Sequence, residues 1–299
     1  MYSVENGKTL LPYPYDQDFS GIVTRVKGKR DSTRANLVNS LKVASYLRAG
    51  AALIERNLGS PAAVAPPAEG ERKPYWSGIR FLTERALVQR METNEPPFLR
   101  LRGDGPYRAT WASHDDYLGD LLSFSFHEMN YDPQYGAGML TRGDWLVEEP
   151  RFADAIDRTT FHELAAVCRM PLFRLQLIMA ATAERNDGIH EAIGNSYEGA
   201  LQPWRKIYES TFAVRGLRLR PGITIDQLAN MLAALTEGFA VRQLGDPAAA
   251  ILGDTEAGNL LGMAVLGLVY AYCEPAAEPS GLTLREAFEP IEDRARLED

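Results

Sequence analysis

Two histidine–glutamate pairs could begin the helix motif of a zinc protease. They are His162-Glu163 and His190-Glu191. That motif needs a second histidine four residues after the first, so that both imidazoles reach the metal from one face of a helix. Ala166 and Gly194 occupy the two required positions. The remaining histidines also lack the spacing of metal ligands. The sequence therefore predicts no metal site and no cofactor.

Signals of nucleophilic and phosphate chemistry are also incomplete. Residues 194–199 (Gly-Asn-Ser-Tyr-Glu-Gly) are one residue too long for a nucleophile elbow and lie in a helical pattern. Residues 7–9 (Gly-Lys-Thr) end like a P-loop, but Tyr2 stands where that loop needs its first glycine. The acidic pair Asp115 and Asp116 is explained by a first helical turn. We therefore predict that the chain is not an enzyme.

The charge of the sequence is unevenly distributed. The whole chain carries −8, whereas residues 25–108 hold sixteen Lys or Arg against eight Asp or Glu, a net +8. Residues 109–299 hold 15 basic against 29 acidic side chains, a net −14. A basic module attached to an acidic one is typical of a polyanion-binding part joined to a sensing or oligomerising part. An ordinary fluctuation of solvated charge is the alternative.

Arginine is the basic residue best suited to phosphate, because its planar guanidinium offers several donors and is weakly hydrated. The predicted DNA contacts are Arg80, Arg85, Arg100, Arg102 and Arg108. Three of them belong to a predicted β-hairpin near 98–111, in which two alternating runs flank Gly103-Asp104-Gly105. The alternative is an edge hairpin that its charges keep soluble.

Elsewhere the pattern is helical, which predicts a mainly α fold built as a helical bundle. Apolar residues recur at helical spacing over 34–57 and 77–92. Ser113 and Asp116 predict a capping box, as do Thr224 and Gln227 farther along the chain. Pro171 is typical of the first position of a helix. Residues 60–74 are rich in Pro and Ala and predict a linker or exposed loop.

The last two predicted helices are apolar on more than one side, which favours a helical homodimer. The predicted interface consists of Leu228, Leu232, Leu235, Phe239, Leu261, Val265, Leu268 and Tyr272. Gly258 and Gly262, four residues apart, would let backbones approach closely. An intramolecular core pair explains the same periodicity.

Large, adaptable apolar side chains concentrate in the region 145–212 and predict a pocket for a small apolar effector. The predicted lining is Trp145, Phe173, Met179, Trp204 and Tyr208. A plain hydrophobic core is the alternative.

The sequence also predicts the cellular compartment. Its two cysteines, Cys168 and Cys273, are far apart and are expected to be reduced thiols of a cytoplasmic protein. The N-terminus has no basic region followed by an apolar one, so no signal peptide is predicted. The most apolar run, 260–273, has fourteen residues and is too short to span a membrane.

Two stretches carry a resemblance to a known family. GLRLRPGITIDQLANMLAALTEGFAVRQLGDP (216–247), followed by NLLGMAVLGLVYAYC (259–273), resembles the C-terminal regulatory domain of TetR-type transcription regulators. WASHDDYL (111–118) looks like the aromatic junction after that family's recognition helix. The resemblance covers about a third of the chain. It implies a helix-turn-helix, an effector pocket in a helical bundle, and dimerisation through the last helices.

The segment before that junction departs from the family. EPPFLRLRGDGPY (95–107) contains three prolines, which an ordinary recognition helix cannot accommodate. We therefore expect an irregular, basic-ended N-terminal segment (1–32), a divergent helix-turn-helix-like domain (33–127), and a helical regulatory and dimerisation domain (128–299). The predicted function is a dimeric, ligand-responsive transcription regulator whose effector alters its affinity for duplex DNA. The alternative is a helical dimerising interaction protein that has lost DNA binding.

Overall fold

The chain is mainly α-helical in a computed structural model, which confirms the predicted fold class. The structure describes residues 4–5, 8–9, 11–28, 31–59, 78–130, 133–181, 183–253 and 255–289. The predicted linker 60–74 lies outside the described residues. Two short antiparallel strand pairs accompany the helices.

The elements follow in chain order, with 3-10 turns between some of them. The strands are β1 (Val4–Glu5), β2 (Lys8–Thr9), β3 (Leu217–Leu219) and β4 (Cys273–Pro275). The helices are α1 (Asp31–Val38), α2 (Leu41–Leu58), α3 (Glu84–Met91), α4 (Gly105–Thr110), α5 (His114–Ser125), α6 (Pro133–Glu148), α7 (Phe152–Arg169), α8 (Pro171–Ala180), α9 (Asp187–Arg215), α10 (Ile225–Gly245) and α11 (Leu260–Tyr272).

The chain divides into two compact units that interleave along the sequence. The first unit comprises Met1–Tyr131 and Met170–Tyr197, and the second comprises Asp132–Arg169 and Glu198–Asp299. Helix α9 therefore contributes residues to both units. The predicted domains are continuous stretches, whereas 170–197, which the prediction assigns to the regulatory domain, belongs to the first unit.

Local capping signals position several helices as the sequence predicts. Ser113 and Asp116 form the capping box that begins α5, and Thr224 and Gln227 form the one that begins α10. Pro171 is the first residue of α8, where its missing N–H would have no helical partner. The helix expected over 34–57 is instead divided, because the Ser40 hydroxyl accepts a hydrogen bond from the Val43 N–H and begins α2.

The prediction of a β-hairpin near 98–111 is wrong. Pro97–Leu99 form a 3-10 turn, and Gly105–Thr110 form α4. Pro106 favours this outcome, since its ring fixes φ at a helical value and its missing N–H costs nothing in a first helical turn. The alternating pattern instead reflects Leu99, which is fully buried beside more exposed neighbours.

The irregular segment 11–28 belongs to the core of the first unit. Phe19 and Val23 are 1% and 0% exposed, and the Phe19 and Phe124 rings meet edge to face at 5.4 Å. The Val26 backbone also pairs with that of Trp111 as an isolated antiparallel bridge. The irregular conformation was predicted, but the contribution to the core was not.

The second unit is organised around α7, which packs against α6, α10 and α11. The buried turns of α7 present Ala155, Ile156 and Leu164 to these neighbours. Strand β3 pairs with β4 in antiparallel register, so that Leu219 lies opposite Cys273. This ribbon joins the end of α9 to the end of α11.

Candidate functional site

Helix α4 presents one side to the core of the first unit and the other side to solvent. Tyr107 and Thr110 are buried, whereas Arg108 and Ala109 are exposed. The centroid of the Tyr107 ring lies 5.3 Å from that of Tyr46 on α2, at an edge-to-face angle. Aromatic pairs in this geometry stabilise a core beyond their buried area. The inner side of α4 is therefore held in a fixed position.

Trp111 fixes the end of α4 through a buried carboxylate. Its indole Nε1 donates to Asp120 Oδ2 at 2.8 Å, and Asp120 Oδ1 accepts the Thr24 and Arg25 N–H groups at 2.9 and 3.0 Å. Burial raises the pKa of the Asp120 carboxyl, and these donors oppose that shift. Asp120 thus joins the N-terminal segment, the end of α4 and α5. No sequence signal identified it, because its partners are distant along the chain.

The Arg25 guanidinium completes this junction. It lies 3.7 Å from Asp120 Oδ1 and is one-third exposed. A Cβ atom at Gly119 would lie only 2.7 Å from the guanidinium carbon, so glycine is what allows this approach. Arg25 is consequently engaged with Asp120 at the edge of the core.

His114 connects three elements near the outer end of α4. Its Nδ1 lies 2.6 Å from the Tyr107 hydroxyl, and its Nε2 lies 2.7 Å from the Leu82 carbonyl oxygen just before α3. A carbonyl only accepts, so Nε2 carries a proton. Burial raises the pKa of the Tyr107 hydroxyl, which keeps its own proton and can donate it to Nδ1. A neutral imidazole satisfies both contacts.

The predicted DNA-binding arginines lie in the segments around α4 and fall into two groups. Arg80, Arg85 and Arg102 are exposed and have no hydrogen-bond or ion-pair partner among the residues that the structure describes. Arg108 pairs with Glu84 at 3.1 Å and with Asp104 at 3.2 Å, and Arg100 pairs with Glu95. The bond from Arg108 to Glu84 also brings the first turn of α3, and hence Arg85, next to α4.

The predicted pocket residues do not belong to one unit. Phe173 and Met179 are buried in α8, within the first unit. Trp204 and Tyr208 stack in the second unit with ring centroids 5.6 Å apart. Trp145 instead packs beneath the Arg158 guanidinium, whose carbon lies 4.1 Å from the ring centroid.

A buried ion pair lies in the second unit, close enough to Tyr208 for its charge to act on that hydroxyl. Arg142 Nε and Glu163 Oε2 are 2.7 Å apart, with side chains 7% and 11% exposed. Burial raises the pKa of the Tyr208 hydroxyl, and the negative charge of Glu163 raises it further. Met139, Leu146 and Ile156 form an apolar cluster with Trp204 in the same unit, and Tyr208 packs against it. Sequence reasoning missed this pair, since nothing in the spacing of the two residues marks it.

The predicted dimer residues divide by burial. Leu228, Leu232 and Leu261 are buried within the chain and belong to its own core, so they are not available to a second copy. The other predicted dimer residues are half-buried: Leu235, Phe239, Val265, Leu268 and Tyr272.

Other side chains of α11 are more accessible than the predicted ones. Leu260, Met263 and Tyr270 are 39%, 51% and 86% exposed, and Gly267 lies on the same stripe of the helix. These four residues are called the α11 face below. The helix carries no charged residue from end to end.

The described residues contain no group of His, Cys, Asp and Glu that could hold a metal ion. Within the same part of the chain, every helix is too short or too polar to cross a membrane. Comparisons of the chain with protein-family models, curated proteins and solved structures find no match.

Proposed function

We propose that the chain is a transcription regulator that binds duplex DNA through the first unit and dimerises through the second. The observation that carries the proposal is the presentation of α4. Its inner side is held by Tyr107 and Trp111, its outer side is exposed, and three arginines without carboxylate partners lie in the segments around it. A short helix with a rigid inner side and accessible cations around it can approach a phosphate backbone.

Of the five arginines predicted to contact DNA, only those without a carboxylate partner carry the proposed phosphate contacts. An arginine that already pairs with a carboxylate must break that pair before it binds phosphate, and the released carboxylate repels DNA. Arg85 and Arg102 have no such cost, while Arg108 and Arg100 do. We therefore assign phosphate contacts to Arg80, Arg85 and Arg102.

The α11 face supports a second copy of the chain as the partner in dimerisation. A partner with a charged surface would find no charge to pair with on this helix. The stripe is also complementary to itself: Gly267 allows close approach at a two-fold axis, and Met263 and Tyr270 flank it on either side. Antiparallel packing of two such helices would place Met263 of one copy beside Tyr270 of the other.

The effector site of the proposal is the Trp204–Tyr208 region of the second unit. Its aromatic surface suits the apolar body of a small molecule, and the Arg142–Glu163 pair supplies a polar anchor. Because α9 belongs to both units, it is the element through which an effector would act on DNA affinity.

The DNA-binding part is tested by fluorescence anisotropy with a mixed-sequence duplex at increasing salt. The wild type should bind with an affinity that falls steeply with salt, because bound cations release counterions from DNA. The double change Arg85→Ala and Arg102→Ala should reduce the slope of log K against log salt by about two units, one per lost contact. Arg100→Ala is the control, because Arg100 lies in the same loop as Arg102 but is paired with Glu95. It should change the slope less. A wild-type protein without salt-sensitive affinity would remove DNA binding from the proposal.

A helical interaction protein is the second candidate, and two observations favour it. The only basic side chain on α4 is Arg108, which is held by two carboxylates. In addition, residues 92–104 connect α3 to α4, whereas a helix-turn-helix uses a turn of about three or four residues. This candidate predicts dimerisation through the α11 face without any affinity for DNA.

A further inference from the structure

We infer that residues 282–289, called the arm below, cover one end of the α11 face of a second copy of the chain. The arm follows α11 and β4 in the sequence and exposes two large apolar side chains, Leu282 and Phe288. This contact rests on the dimerisation part of the proposed function and extends the proposed interface beyond α11 itself.

The two apolar side chains of the arm are left in solvent by the rest of the chain. Leu282 and Phe288 are 43% and 53% exposed. Residues 284–289 are helical, and a capping box begins the turn: the Thr283 N–H donates to Glu286 Oε2 at 2.8 Å, and the Glu286 N–H donates to Thr283 Oγ1 at 3.3 Å. Phe288 therefore stands on a regular turn of helix.

A buried carboxylate fixes where the arm begins. The side chain of Glu274 on β4 is only 2% exposed, and its Oε2 accepts the Ser280 N–H at 3.0 Å and the Ser280 hydroxyl at 2.6 Å. Arg220 joins the same point, because its Nη1 donates to Ser280 Oγ at 3.0 Å and its Nε donates to the Ala271 carbonyl oxygen at 2.8 Å. Ser280 thus returns to the last turn of α11, and the arm begins at that end of the helix.

The proposed antiparallel pair of α11 helices brings the opposite end of the second helix to this point. Met263 of one copy lies beside Tyr270 of the other in that pair. Leu260 precedes Met263 by three residues, so it falls beside Cys273 of the other copy, three residues after Tyr270. The arm of one copy therefore begins beside Leu260 of the second copy, which is 39% exposed within its own chain.

The apolar character of both surfaces favours this contact. Leu260 and Met263 lie on a helix without any charged residue, so a charged segment placed over them would lose water without gaining an ion pair. Leu282 and Phe288 are the exposed large apolar side chains of the arm. Contact between apolar side chains removes both surfaces from water, which stabilises the pair without any polar partner.

The dimensions of the arm also fit. Leu282 stands two residues after Ser280, and two extended residues reach at most about 7 Å, so Leu282 stays beside the end of α11. The helical residues 284–289 span about 9 Å at the rise of an α-helix. The rise from Leu260 to Met263 on the second copy is about 4.5 Å, so the arm is long enough to cover both.

The contact is tested by cross-linking two different variants of the full chain in one mixture. Both carry Cys168→Ser and Cys273→Ala, which remove the native cysteines. One copy then carries Leu282→Cys, the other carries Leu260→Cys, and a short bismaleimide joins thiols that lie close together. A purification tag on one copy makes the mixed product recognisable on a denaturing gel. Leu140→Cys replaces Leu260→Cys in the control, because Leu140 is 62% exposed on α6.

A mixture of Met263→Cys and Tyr270→Cys in the same background reports the α11 pairing independently of the arm. Cross-linking of Leu282→Cys to Leu260→Cys, clearly above the Leu140→Cys control, is the expected result. If Met263→Cys joins Tyr270→Cys while Leu282→Cys yields no more product than the control, the dimer stands and the arm contact is overturned. If neither mixture yields product, the proposed dimer fails, and the arm contact fails with it.

Sedimentation provides a second measurement without any new thiol. Phe288→Glu should raise the dimer dissociation constant at least about tenfold, because the carboxylate would enter an apolar contact without a partner. Arg285→Gln is the matched control on the same turn of helix and should change that constant little. Both side chains are exposed within one chain, so neither change disturbs the core of the unit. Equal dissociation constants for Phe288→Glu and the wild type would overturn the arm contact.

Discussion

The two units of the chain bury their apolar residues to different degrees. In the first unit, large side chains such as Trp111, Tyr117 and Leu121 are 1% exposed or less. In the second unit, α11 leaves Met263 half-exposed and Tyr270 almost fully exposed. A closely packed core tolerates little change in side-chain volume. An exposed apolar face, in contrast, indicates a surface that binds a partner. The exposed α11 face is therefore the feature of the second unit that the proposed dimer would cover.

The largest expected effect of a single change lies in the core of the first unit. Trp111→Ala should cost about 3–5 kcal/mol, because it opens a cavity and leaves the buried Asp120 carboxylate without its indole donor. Hydrogen exchange of α5 reports the stability of this unit. The matched control is Trp145→Ala, since Trp145 is a half-buried tryptophan of the second unit. Equal loss of α5 protection in both variants would contradict the difference between the units.

A charge on the α11 face should have the next largest effect, and on assembly rather than folding. Tyr270→Glu should weaken dimerisation by at least about a hundredfold, because docking would bury a carboxylate without a partner. Val214→Glu on α9 is the control, since Val214 is 60% exposed and lies outside the α11 face. Sedimentation over a range of concentrations measures both variants. A wild-type monomer at micromolar concentration, or equal dimerisation of both variants, would contradict a second copy on this face.

The smallest effect concerns the two cysteines of the second unit. Burial raises the pKa of the Cys273 thiol to about 11, so little thiolate forms near neutral pH. Cys168 is only half-buried. At about pH 8, an alkylating reagent should modify Cys168 at least about tenfold faster than Cys273, as followed by mass spectrometry. Equal rates would mean that the end of α11 and strand β4 open readily, and that the second unit is loose throughout.

Local signals allowed much of the fold to be predicted from the sequence. The capping boxes at Ser113 and Thr224 and the proline at the start of α8 act within one helical turn, so neighbouring residues are enough to identify them. The prediction of a hairpin near 98–111 was wrong, because a buried Leu99 between more exposed neighbours gives the same alternating pattern as a strand. Asp120 and the core role of Phe19 depend on contacts between residues far apart in sequence. For that reason periodicity could not identify them.

The candidate site was predictable in part. The sequence located the basic segments around α4, but it could not separate Arg85 and Arg102 from the ion-paired Arg108, because Glu84 approaches Arg108 only in the fold. The same limit of sequence reasoning applies to α11. The sequence showed clearly that this helix is apolar. Which of its apolar residues face outward depended on how it packs against α7.

Selection of bound sequences from a random duplex library tests the central claim, a dimeric DNA-binding regulator, most directly. The purified wild-type chain should enrich a two-fold symmetric sequence whose half-sites are about one helical turn of DNA (~10 base pairs), or a multiple of it, apart. Two chains bound to one duplex produce that symmetry, and Tyr270→Glu should reduce the enrichment. A library that emerges without enrichment, or with a single asymmetric half-site unaffected by Tyr270→Glu, would contradict the account.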